Sequence, residues 1–347
     1  MIFTSEQVSK GHPDKICDQI SDAILTECLR QDKQSRVAVE TLIKSYEVIV
    51  AGEVTTNAKI YPDQIVMNVL HSIGLEDLGK YRVTNLIETQ SADIALGVDE
   101  GGAGDQGIMF GYATNETKEL LPLPYVLATR ALQKLDEIKH PNLKADAKSQ
   151  VSYDYENDRI DTFLISVQHD ELINLKQIHG VAKSIMETVA IQHGLNTDFK
   201  VLVNPTGRFV KGSSFADAGV TGRKIIADTY GGMARHGGGA FSGKDPSKVG
   251  RSAAYMARKI AKDLVRLEFC DKCEVQVGYA IGVAEPVSVH VNTFNTNRVR
   301  SELIEAHVKS YDLRPKAIIE KLDLLNVDYT KAATYGHFMD ADAPWER

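Results

Sequence analysis

The sequence predicts an α+β fold of three similar units, each a small sheet packed with helices. Two observations carry this. One order of elements, helix, strand, strand, helix, recurs three times, and no low-complexity linker interrupts it. The 347 residues, 43% apolar and 25% charged, supply enough material for two or three cores of ordinary size.

In the first round Pro13 to Leu29 has helical apolar spacing. Val37 to Ile43 and Val48 to Thr55 alternate as strands, and Asp63 to Ile73 returns to a helical period. In the second, Pro124 to Ile138 is helical, Gln150 to Tyr155 and Ile160 to His169 alternate around Glu156-Asn157-Asp158, and Leu172 to His193 is a long amphipathic helix. The third has a helix over Ser252 to Phe269 and strands over Glu274 to Ile281 and Val287 to Phe294, turned at Ala284-Glu285-Pro286. Its closing helix is Arg298 to Val308. Periodicity leaves one large mixed sheet open as an alternative to three. Between the units lie irregular glycine-rich and charged segments, Gly97 to Gly111, Asn204 to Lys224 and Gly231 to Val249, and function is expected to concentrate there.

Forty basic against 47 acidic side chains leave a net charge of -7, so nucleic acid and anionic membranes are excluded as general partners and any anion site must be local. No run of eighteen apolar residues exists, and Met1 to Lys15 lacks an apolar run flanked by basic residues; a soluble cytoplasmic protein is expected. Four cysteines are too few for a disulfide scaffold. Cys270 and Cys273 form a single CxxC, while Cys17 and Cys28, with Ile20 and Ile24 between them, fit a helical core stripe better than a zinc site.

Gly237-Gly238-Gly239-Ala240-Phe241-Ser242-Gly243-Lys244-Asp245 suits a phosphate cradle, because glycines let backbone N–H groups approach oxygens and Lys244 and Lys248 add charge ahead of a helix. It is not an ordinary P-loop: Asp245 stands where a Ser or Thr would hold magnesium. Lys148, Arg208, Arg223 and Lys224 fall near predicted element ends, and their convergence would suit a polyphosphate. Gly11-His12-Pro13-Asp14-Lys15 reads first as a helix start, with a proton donor, a magnesium ligand and a phosphate contact at one helix mouth as the alternative. Gly102-Ala103-Gly104-Asp105-Gln106-Gly107 lacks the phasing of a dinucleotide fingerprint; Asp105 either binds a ribose or cationic substrate group or forms a turn.

Together with Phe3 to Glu6, Asn204 to Phe209, Thr221 to Ile226 and Tyr335 to Phe338, these segments resemble the S-adenosylmethionine synthetases over essentially the whole chain. The resemblance implies three α+β domains about a pseudo-threefold axis, here expected at 1–97, 101–209 and 210–347. It also implies a tight dimer with active sites between subunits, often paired into a tetramer. The implied reaction joins ATP and L-methionine: sulfur attacks ribose C5′, triphosphate leaves, and the same site hydrolyses it to pyrophosphate and phosphate, with magnesium and potassium.

By that resemblance His12 sits at the leaving oxygen, Asp14 binds magnesium and Glu40 potassium. Lys15, Lys148, Arg223, Lys224, Lys244 and Lys248 surround the phosphates and reacting groups, with His12, Lys148, Arg223, Lys244 and Lys248 taken as catalytic. Phe209 stacks on adenine; Asp146, Arg208 and Ala240 also face ATP; Glu53, Asp105, Asp217 and Lys248 face methionine or ribose. The sequence departs from the pattern at Leu96, where a Gln is common, in a short Gly97–Gly102 segment, and at Gly250, where an Asp usually ligates a second magnesium. These departures make a related ATP or triphosphate hydrolase the alternative function.

Overall fold

Among the described residues three separate sheets form, and each takes its outer antiparallel strand from a different repeat. The computed structural model describes residues 1–89 and 102–347. In chain order these form β1 (Ile2–Val8), α1 (Pro13–Gln31), β2 (Arg36–Lys44), β3 (Glu47–Thr55), α2 (Pro62–Ile73), β4 (Arg82–Glu88) and β5 (Gly107–Thr114). Next come α3 (Leu123–Ile138), β6 (Leu143–Asp154), β7 (Arg159–His169), α4 (Leu175–Gln192), β8 (Lys200–Val203), a one-turn α5 (Ser213–Ala216) and β9 (Gly219–Val220). The chain ends with α6 (Val249–Arg266), β10 (Lys272–Tyr279), β11 (Ser288–Asn292), α7 (Ser301–Lys309) and α8 (Pro315–Lys321).

The three predicted hairpins are the cores of these sheets, whose orders are β4-β3-β2-β9, β1-β6-β7-β8 and β11-β10-β5. β9 joins the first hairpin with Leu42 opposite Val220, β1 joins the second with Val8 opposite Lys148, and β5 joins the third with Tyr112 opposite Glu274. The exchange is cyclic. Each unit lends an edge strand to another, which gives the repeat its pseudo-threefold pattern and ties the units together. Parallel strands β4 and β8 extend the first and second sheets after their second helices.

Several sequence boundaries move; α6, for example, runs Val249–Arg266 rather than Ser252 to Phe269, and α7 begins at Ser301 rather than Arg298. β6 begins at Leu143 rather than near Gln150, with a register shift between Leu143 and Ala147, so Lys148 lies within a strand and not before it. α4 begins at Leu175 rather than Leu172, because Asn174 forms a capping box: its side chain accepts the Gln177 N–H at 3.0 Å while Gln177 accepts the Asn174 N–H at 3.2 Å.

Two apolar clusters support the sheets, one around α1, α2 and α6 and one between α3, α4 and the β6–β7 hairpin. α1 and α6 are locked by a buried bidentate pair, Arg251 to Asp22 at 2.7 and 2.9 Å, with the guanidinium 4.0 Å from the Tyr329 ring centroid. Glu346, also buried, takes hydrogen bonds from Arg258 and Lys262 and fastens the C-terminal segment to α6. All four cysteines are buried free thiols. Among the described residues no helix is long and apolar enough to cross a membrane.

Candidate active site

The first half of the site is built where α1 starts. A Cβ on Gly11 would lie 2.4 Å from the Ala145 carbonyl carbon, so only glycine lets this turn rest against β6. His12 is the N-cap and Pro13 begins the helix; the His12 Nδ1 accepts the Asp14 N–H at 3.2 Å. An accepting Nδ1 leaves the proton of the neutral ring on Nε2. Burial, then the Lys224 and Lys148 charges, lower the His12 pKa to about 3, so at neutral pH this imidazole is an uncharged donor.

Asp14 is fully buried beside it. Its carboxylate accepts from Lys224 Nζ at 2.6 Å and from the Val220 N–H at 3.0 Å, with Arg223 Nε at 3.7 Å. Burial alone would raise this acid, but those two hydrogen bonds outweigh it and hold its pKa below the ordinary value. β9 can approach because Gly219 has no Cβ, which would lie 2.1 Å from the Pro13 carbonyl oxygen.

Lys148, Arg223 and Asp217 are exposed around this helix mouth, and Lys148, Asp217 and Lys224 act on His12 through their charge. Asp146 is buried next to them, with one oxygen accepting the Ser213 N–H at 2.7 Å and the other without a partner. Burial raises its pKa to about 6. Half-buried Phe209 is held by its N–H donating to His169 Nε2 at 3.0 Å, and exposed Arg208 pairs with Glu171. Lys15 turns away from this group: its ammonium is buried between Asp18 at 3.0 Å and Asp228, which raise its pKa although burial alone would lower it.

The second half lies at the glycine loop. The loop is stitched to β2, with the Val39 N–H donating to the Gly243 carbonyl at 2.9 Å and a bridge between Ala38 and Lys244. A cavity of about 280 Å³ opens beside it, lined by Asp105, Gln106, His236, Lys244, Lys248 and Gly250 among others. Burial lowers the Lys244 pKa, partly countered by Glu40 and Asp105. Lys248 reaches Asp245 at 2.7 Å. Ala240 packs against Gly222, next to Arg223. Glu53 lies opposite Ala38 and Glu40 opposite Ala51, so both acids project from the same exposed sheet face.

The predicted residues thus form two groups. His12, Asp14, Asp146, Lys148, Asp217, Arg223 and Lys224 gather at α1, whereas Asp105, Lys244 and Lys248 line the cavity, which none of the first group reaches. Sequence reasoning missed His236, whose Nδ1 accepts the Gly238 N–H at 2.8 Å and whose ring packs 5.7 Å from Phe241; its place directly before three glycines was the available signal. It also missed Asp18 and Asp22, since acids at helical spacing on α1 suggest a solvated face, and Asp228, whose contact with Lys15 spans 213 residues. Leu96 and residues 97–101 lie outside the described residues.

Comparison with known proteins covers nearly the whole chain. The N-terminal, central and C-terminal domain models of S-adenosylmethionine synthetase match residues 1–92, 100–209 and 211–347. An S-adenosylmethionine synthase of Sorangium cellulosum (strain So ce56) is 49% identical over 367 aligned positions, spanning 99% of this chain and 87% of that protein. With three domain models in order and that identity, the chain belongs to the S-adenosylmethionine synthetase family.

Proposed function

We propose that this chain makes S-adenosylmethionine from ATP and L-methionine at a site completed by two copies of itself. The observation that carries the reading is the neutral His12 donor set beside Asp14 and a ring of cations, with a second set of cations on the glycine loop. A thioether sulfur has no proton to lose, so attack on ribose C5′ needs no general base; alignment and neutralisation of the departing triphosphate remain. His12 Nε2–H supplies a hydrogen bond to the leaving oxygen. Lys148, Arg223, Lys224, Lys244 and Lys248 hold the phosphate charge, and Glu53, Asp105 and Asp217 orient methionine or ribose. Hydrolysis of triphosphate to pyrophosphate and phosphate uses the same cations. Asp146, Arg208, Phe209 and Ala240 complete the nucleotide side. Lys15 acts from behind, fixing the helix mouth through Asp18 and Asp228.

Enzymes of this family use divalent and monovalent cations, and magnesium and potassium fit the groups present. Among the described residues no cluster of three or more His, Cys, Asp and Glu is placed to cage a metal. That suits magnesium, which keeps waters and substrate oxygens and needs few protein carboxylates. Asp14 would hold it and Glu40 the potassium; magnesium when bound adds positive charge at the phosphates.

The separation of the two residue groups supports a site shared across a dimer, with the tetramer as its paired form. The cyclic exchange of β1, β5 and β9 supports a division at 1–97, 101–209 and 210–347 in which no unit is structurally independent. The direct test is ATP turnover with and without methionine in the presence of magnesium. Sulfonium formation that requires methionine is expected; phosphate release indifferent to methionine, with no sulfonium, would instead identify the hydrolase.

A further inference from the structure

A second cavity, of about 510 Å³, lies against the glycine loop and shares Ser247 with the first. Lys33, Arg36 and Lys316 line it. None of the three pairs with a carboxylate among the described residues; Lys33 Nζ donates to the Leu325 carbonyl at 2.9 Å. Two acids also border the cavity, Asp245 and Glu320, but they differ in availability. Asp245 is buried and fully engaged, accepting from the Val37 N–H at 2.7 Å, the Ser247 N–H at 2.9 Å and Lys248 Nζ at 2.7 Å. Among the described residues three cations therefore face one uncommitted carboxylate, in a protein whose overall charge is -7. The Ser247 hydroxyl is buried and has no hydrogen-bond partner among the described residues, a cost that a ligand oxygen would remove.

We infer that this cavity is a second anion site that takes a diphosphate group, free or as part of a phosphorylated metabolite. Arg36 and Lys316 supply charge-assisted hydrogen bonds, Lys33 adds charge, and Ser247 donates its hydroxyl. The site adjoins the machinery through covalent neighbours. Arg36 precedes Val37, whose N–H binds the same Asp245 oxygen that holds Lys248. Occupation of the second cavity therefore bears on Lys248. This coupling rests on the proposed role of Lys248, whereas binding itself does not.

The test is calorimetric titration of the full-length protein with pyrophosphate, and separately with ADP, while a saturating non-hydrolysable ATP analogue and methionine occupy the active site. One diphosphate per chain is expected to bind under these conditions. Affinity should fall about tenfold for each cation removed in Arg36→Gln and Lys316→Gln, and remain in Lys244→Ala. Equal binding of pyrophosphate and ADP identifies the diphosphate itself as the ligand. Tighter binding of ADP adds a contact to the apolar wall of Ile319 and Leu325. Lys316 is exposed, so Lys316→Gln keeps the test meaningful if Arg36→Gln perturbs folding. No binding to the occupied enzyme, or binding untouched by both substitutions, overturns the site. Loss of sulfonium formation in the wild-type protein would instead count against the proposed reaction and leave the binding result standing.

Discussion

The Nδ1 of His12 accepts the backbone N–H of Asp14 at 3.2 Å, and this one contact settles both the tautomer and the direction of the imidazole. Its Nε2–H is left as a fixed, uncharged donor at the mouth of α1. His12→Asn keeps a side chain able to cap the helix but cannot place a donor at the same point. Removing one preorganised donor of this kind costs about 10²–10³ in kcat. Steady-state kinetics should show that loss with an unchanged circular dichroism spectrum; near-normal kcat would remove His12 from the chemistry.

The same residue makes stability depend on pH in a stated direction. Its folded pKa, about 3, lies below the unfolded value of 6.5, so the unfolded chain binds the extra proton between those limits. The contribution is fully present above the unfolded pKa and is lost as pH falls toward the folded one, by up to about 1.4 kcal/mol per pH unit. Urea unfolding of wild type and His12→Asn at about pH 5 and about pH 7 should give a smaller pH difference for the variant. Equal differences would mean that His12 is not held neutral by the fold.

Lys244 is fixed by the backbone bridge to Ala38, so its charge reaches the cavity without reordering a flexible loop. Lys244→Ala should slow sulfonium formation by about 3 kcal/mol of transition-state stabilisation while leaving the fold intact. Single-turnover rates decide this, and a wild-type rate would end the assignment of the glycine loop to the leaving group.

Gly250 lines the same cavity, and a Cβ added there meets nothing within 4 Å. It sits in the first turn of α6, where a carboxylate is favoured by the helix dipole. Gly250→Asp should therefore fold normally and add one hard oxygen ligand near the phosphates, so less magnesium is needed for half-maximal activity. A magnesium titration at fixed ATP and methionine checks this; superimposable curves would show that position 250 does not tune metal use.

What the sequence made legible were features with a local cause. Helices α1 to α4, α6 and α7 and the three hairpins follow apolar spacing, and the His12-Pro13 start and the Lys244 loop follow turn and cap chemistry; the short α5 and α8 were not read. The edge strands β1, β5 and β9 were not recognised because their place is set by partners far along the chain, and the edge strands β4 and β8 because they pair in parallel with the preceding hairpin only across an intervening helix. Val8 opposite Lys148 is such a pairing. Lys15 illustrates the same limit within the site: its sequence neighbours suggest a phosphate contact, yet Asp228, more than two hundred residues away, takes its ammonium. Nor does spacing reveal that the cations divide into two groups, since that division depends on how β9 and the glycine loop fold back onto β2.

That division gives the account its most direct test. His12→Asn and Lys244→Ala proteins, each expected to be slowed about a hundredfold or more alone, are mixed in equal amounts under conditions where subunit exchange is demonstrated, and sulfonium formation is measured. If each site takes His12 from one copy and Lys244 from the other, mixed dimers regain one intact site and activity should return to about one quarter of wild type. If both residues serve the same site from a single chain, every site in every mixture carries a defect. Activity that stays at the level of the separate variants despite exchange would contradict the shared site.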